Sequence, residues 1–236
     1  MKLPNLSQSA DTLVKEHGLY HYTRLCADAT LGDMAARWEM QQSRLQGRIL
    51  DFEKTRGETM TTMAARDGVA RLLAEAVRAF YGALVAKTNN NRRSPLFKTY
   101  FPDGLHAVLN APLQAEMQRV GVLVNKLAQE TDPDLSAHFE PLKKVLSSLA
   151  EAVNLYDTAA DSERQAFGRI EQEKFAWLDL YKLDHRTLAQ AFYKDPKKAD
   201  SYFKPSRKPR TAQTGPATVA AVPPVAHVAL TKEASA

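Results

Sequence analysis

His17 and His21 stand four residues apart, a spacing that puts two imidazoles on one helical face within reach of one metal ion. At about 100° per residue, Asp28 returns to within about 20° of His17 and is the candidate third ligand. Cys26 falls on the far side of the same wheel and cannot join them. Two histidines without a full set of four ligands more often sit at the rim of a core, here beside Tyr20 and Tyr22. The expectation is therefore no metal and no cofactor, with His17, His21 and Asp28 the residues to watch.

Other chemistry is poorly served. Di-metal helical bundles need Glu-x-x-His on two helices, and this chain has none. Asp103-Gly104-Leu105-His106 has the spacing but straddles a Pro-Asp-Gly turn. The ten glycines are scattered, so no loop gathers backbone N–H groups around a phosphate, and no GxSxG elbow occurs. Cys26 has no local partner to activate it, and a lone helical cysteine usually behaves as a small buried hydrophobe. The chain does not read as an enzyme.

Charge is concentrated in one place. Residues 194–210 hold seven Lys or Arg against two Asp, which accounts for the whole net charge of +5. Lys197, Lys198, Lys204, Arg207, Lys208 and Arg210 are the candidate contacts to phosphate, with Tyr202 and Phe203 available to stack. Without a base-reading motif, such a segment binds nucleic acid or an anionic membrane surface weakly and blind to sequence.

These residues are positioned by two long helices. From Leu31 to Lys87 there is no proline. Steps of four and three give Leu31, Ala35, Trp38, Gln42, Leu45, Ile49, Phe52, Arg56, Thr59, Met63, Arg66, Ala70, Leu73, Val77, Phe80, Leu84 and Lys87. Twelve of these seventeen are apolar, the stripe of a helix laid along another helix. A second stripe runs from Leu142 through Leu149, Val153, Tyr156, Ile170, Trp177 and Tyr181 to Leu188 and Ala191. The two predict an antiparallel hairpin, coiled-coil-like and elongated, thickened by shorter helices into an all-α bundle. Arg56, Thr59 and Arg66, near Gly57 and Gly68, mark a section expected to bend, pack loosely or break. Arg56 or Arg66 is expected near Glu163 or Lys174, fixing register.

Shorter elements follow from capping chemistry. Ser7 or Ser9 caps a first helix reaching about Ala27, weakened at Gly18. Asp28–Leu31 is its joint with the long helix. Asn89, Asn90 and Asn91 suit a helix end, because Asn tolerates left-handed backbone. Phe101-Pro102-Asp103-Gly104 is a turn, Pro112 opens another helix, and Asp132-Pro133 and Asp195-Pro196 are cap-and-first-turn pairs. Pro141 either kinks or restarts the second long helix. An echo also appears: Ala79-Phe80-Tyr81 recurs as Ala191-Phe192-Tyr193, each followed by a Tyr-Phe pair, Tyr100-Phe101 and Tyr202-Phe203. A duplicated unit would explain it, but Trp38 and Trp177 lie at unlike distances from the echo.

The composition, 44% hydrophobic and 25% charged, is that of a folded chain. Residues 1–203 read as one elongated helical domain and 204–236 as a disordered tail, basic and then rich in Ala, Val and Pro. No apolar run approaches a membrane span, Met1 to Ala10 lacks a signal-peptide core, and a lone cysteine suits a reducing compartment. The cytoplasm is expected. In gross build alone, three long helices in about 230 residues, the chain resembles BAR domains, which implies a membrane-surface role. The main expectation is a helical interaction or scaffolding protein that engages a protein partner or itself. Weak electrostatic binding through 194–210 is the alternative.

Overall fold

The structure, a computed structural model, describes residues 3–205. It is all-α. Helix α1 (Ala10–Thr12) runs through a π-helical segment, Leu13–Gly18, into α2 (Leu19–Cys26). A 3₁₀ turn at Ala29–Leu31 leads to α3 (Gly32–Lys87), followed by α4 (Pro95–Tyr100), α5 (Gly104–Leu109), α6 (Leu113–Leu127), α7 (Pro133–Ser136), α8 (Phe139–Ala191) and α9 (Pro196–Ser201).

Helix α3 has 56 residues and α8 has 53, each about 80 Å long. They lie antiparallel along their stripes. Trp38 meets Trp177 at 4.9 Å between ring centroids, Phe52 meets Phe167 at 5.9 Å, and Arg66 lies 4.3 Å over the ring of Tyr156. Helix α3 is continuous past Gly57 and Gly68, so the expected break is absent. The expected loose packing is present: between Leu45 and Leu73, α3 buries only Thr59, and α8 buries nothing between Leu149 and Ala166. The stripe's charges do not form ion pairs with one another across the hairpin among the described residues. Arg66 pairs with Asp67, Lys174 bonds Leu6 O and Glu171, Arg56 is exposed, and none of them pairs with Glu163 among the described residues.

Two cores flank this waist. One gathers Trp38, Leu45, Trp177 and Tyr181 with α2 and α9; the other gathers Leu73, Phe80, Val120 and Leu149 with α4–α7. Capping follows the sequence closely. Ser9 accepts from Thr12 N, Asp132 from Asp134 N and Asp195 from Lys198 N, and Asn89 and Asn90 take positive φ. Pro141 marks a restart: the helix opened at Asp132-Pro133 ends at Ser136 and α8 begins at Phe139. The proline sits in the first turn of α8, where its missing N–H has no partner to lose.

The two ends share one framework. Tyr202 Oη donates to Asp28 at 2.7 Å, and Tyr100 Oη donates to Glu130 at 2.5 Å. Arg24 donates to Ser201 O, the carbonyl before Tyr202, as Lys126 does to Thr99 O, the carbonyl before Tyr100. Arg24 and Lys126, Asp28 and Glu130, and Thr99 and Ser201 are all separated by one constant sequence interval. So are the buried pairs Leu25 and Leu127, Phe97 and Ala199, and Phe101 and Phe203. Along the long helices, Leu73, Val77, Phe80 and Leu84 match Trp177, Tyr181, Asp184 and Leu188, every one of them buried. The Tyr-Phe half of the sequence echo therefore marks a structural repeat. The Ala-Phe-Tyr half does not, since Phe80 corresponds to Asp184 rather than to Phe192.

Candidate functional site

The matched framework singles out one departure. Where one end places Leu123 and the stripe residue Phe80 in one apolar core, the other places His21 and Asp184, both fully buried. The fold closes one end with apolar residues, so hydrophobic packing alone does not call for polar ones.

His21 comes from α2 and Asp184 from α8. Nδ1 of His21 lies 3.0 Å from Tyr202 O, and Nε2 lies 3.2 Å from Asp184 Oδ2. Both ring nitrogens thus face oxygen atoms, one a backbone carbonyl and one a carboxylate. Arg37 donates to the other carboxylate oxygen at 2.5 Å while half of its own side chain stays in solvent. The imidazole is also stacked on Phe203 at 4.6 Å and met edge-on by Trp38 and Tyr181. This network ties α2, α3, α8 and the segment after α9 together.

A second polar group lies beside it. Trp177 Nε1 donates to Gln42 Oε1 at 2.9 Å, and Gln42 Nε2 donates to Val14 O at 2.7 Å. Trp38 Nε1 donates to Gly18 O at 3.1 Å. Val14 O also accepts the N–H of Leu19, five residues on, which is the π-helical bond. Gly18 is needed because the Gln42 amide lies against it: a Cβ there would stand 2.2 Å from Gln42 Oε1. Its place in the sequence thus reflects close approach rather than a weakened helix.

The metal candidates do not converge. His21 has both nitrogens engaged. Asp28 lies beyond the end of α2 and binds Thr30 and Tyr202; those hydroxyls, Thr30 first, pull its carboxyl down to about 2. His17 is half-buried, with Nε2 3.5 Å from Gln8 Nε2 and Nδ1 buried without a partner among the described residues; burial, with Lys204 nearby, lowers its pKa. The π segment and the end of α2 explain why a uniform 100° wheel misplaces these residues. Among the described residues no group of three His, Cys, Asp or Glu could hold a metal ion. Cys26 is exposed rather than buried, because it ends α2 on the side away from Leu25.

The basic segment is partly committed. Lys204 pairs with Glu16, and Lys198 lies 3.9 Å from Asp28 and 4.3 Å over Phe192. Lys197 is exposed. Tyr202 and Phe203 are buried at 4% and 1% exposure, so they are unavailable to stack on bases: their rings pack on Phe192, Tyr181 and His21. Arg207, Lys208 and Arg210 lie outside the described residues. No described helix is long and apolar enough to cross a membrane.

These features define the class: an all-α protein built on a hairpin of two long helices with a shorter-helix cluster at each end. No family model, curated protein or solved structure matches the chain.

Proposed function

We propose that the chain is a cytoplasmic interaction or scaffolding protein that presents a long helical surface to a protein partner or to a second copy of itself, without a catalytic site. The observation that carries this reading is the waist. There the two long helices have only each other, and Met60, Leu72, Leu155 and Phe167 are each more than half exposed. Exposed apolar side chains along this stretch support an interaction role. The polar groups at the α2 end support the non-enzyme part, since His21, Asp184 and Gln42 are consumed in contacts that fasten helices together.

Replacing Met60, Leu155 and Phe167 together by Ser tests the reading. Association measured by light scattering or affinity capture should fall while helicity stays unchanged. Association that survives would sink it.

Weak electrostatic binding is the second reading, supported by Lys194 and Lys197, which are exposed and form no ion pair among the described residues. It requires affinity for duplex DNA or anionic vesicles that collapses with added salt.

A further inference from the structure

The shared framework of the two ends also shows what one of them lacks. At the α2 end, Tyr20 lies half-buried against the segment after α9, and its hydroxyl donates to Ser201 O at 3.3 Å. That carbonyl accepts from Arg24 as well. At the α6 end, the residue matching Tyr20 is Val122, 54% exposed. The matching carbonyl, Thr99 O, accepts from Lys126, and no hydroxyl takes the place that Tyr20 fills at the other end.

A cleft of about 190 Å³, lined by Val122, Tyr100 and by Lys126, the donor to Thr99 O, opens beside that carbonyl. Its floor is Phe101, Val108 and Leu123, all buried, and Gly104, at φ +81°, turns the chain to form the facing wall. Arg119 and Lys126 stand at its two ends, two turns of α6 and about 10 Å apart. The Arg119 guanidinium donates to Ala107 O. Neither cation has a carboxylate within ion-pair distance among the described residues, and each keeps N–H groups to spare. Asp103, on the facing turn, is the one acid in the lining.

We propose that this cleft receives a tyrosine side chain of an acidic partner peptide. The ring fills the space above Val122, the phenol donates to Thr99 O, and carboxylates on either side of the tyrosine meet Arg119 and Lys126. The proposal rests on the reading of the protein as an interaction platform and names the chemistry of one partner. It is independent of the waist, so either can fail alone.

The probe is the blocked peptide Asp-Glu-Tyr-Glu-Asp, titrated into the isotope-labelled full chain and followed by amide chemical shifts. Saturable shifts centred on Ala107 and Val122 are expected. Exchanging the peptide's acids for lysine, or its tyrosine for alanine, should weaken binding at least about tenfold, as should the double variant Arg119→Glu, Lys126→Glu. Val122→Tyr, which copies Tyr20, should close the cleft and abolish the shifts with helicity intact. Asp103→Asn should tighten binding. No saturable shifts in the wild type, or binding unchanged in Val122→Tyr or in the charge-reversed variant, overturns the proposal.

Discussion

The hydroxyl of Tyr202 donates to the Asp28 carboxylate at 2.7 Å, tying the segment after α9 to the joint between α2 and α3. Both partners are shifted by the contact. Asp28 is pulled down to about 2, by Thr30 first and then Tyr202, and Tyr202 is pushed up to about 12 by burial and by Asp28. A carboxyl depressed on folding stabilises the fold above its unfolded pKa, about 4, and that contribution disappears as pH falls toward 2. A phenol raised on folding stabilises the fold below about 10 and loses that contribution as pH climbs to about 12. The tie's contribution to stability should therefore be full from about pH 4 to pH 10 and fade to nothing toward pH 2 and pH 12. Tyr202→Phe should shrink the acid-side step attributable to Asp28, leaving the part that Thr30 supplies. The emission of Trp38 and Trp177 reports it, and an identical acid profile in Tyr202→Phe would contradict it.

Exchange of the buried His21–Asp184 pair probes the same end. His21→Leu alone leaves Asp184 buried with only Arg37, at a cost of about 3–5 kcal/mol. Adding Asp184→Leu makes this end apolar, as the Leu123–Phe80 end already is, and should recover most of that loss. Denaturant melts of the two single variants and the double give the coupling. Strict additivity would mean the two residues act separately.

Gly18→Ala should be destabilising although alanine is the better helix former. The new methyl displaces the Gln42 amide, leaving Trp177 Nε1 and Val14 O without their bonds, at about 1–3 kcal/mol for each buried group. A melting temperature at or above wild type would show that Gln42 moves aside freely.

Val77→Asp places a carboxylate at a fully buried stripe position with no cation to receive it. The core around α4–α7 should unfold, seen as lost helicity in circular dichroism. Wild-type helicity and melting would mean that Val77 does not face that core.

Much of this architecture is legible in the residues. Leu73, Val77, Phe80 and Leu84 announce their helix through spacing alone, and Asn89, Asn90, Asp132 and Asp195 announce its ends through backbone preference. What spacing cannot show is contact between distant segments. The π segment depends on Gln42 and Trp38 reaching back to Val14 and Gly18. Helices α4 and α5, of six residues each, are too short to display a period. The repeat hides because matched positions carry unlike residues, His21 against Leu123 and Asp184 against Phe80, while a chance Ala-Phe-Tyr likeness suggests a different alignment. His21, read as a metal candidate, is fastened to a carbonyl and a carboxylate that only the fold brings near.

Two continuous antiparallel helices carry the whole account, and small-angle scattering with a simultaneous molar mass tests them most directly. The chain ending at Pro205 should show a maximum dimension of at least about 80 Å. Its radius of gyration should lie well above the roughly 18 Å of a compact globule of this size. A monomeric particle with a radius near 18 Å would contradict the hairpin, and with it the exposed waist and the separation of the two ends.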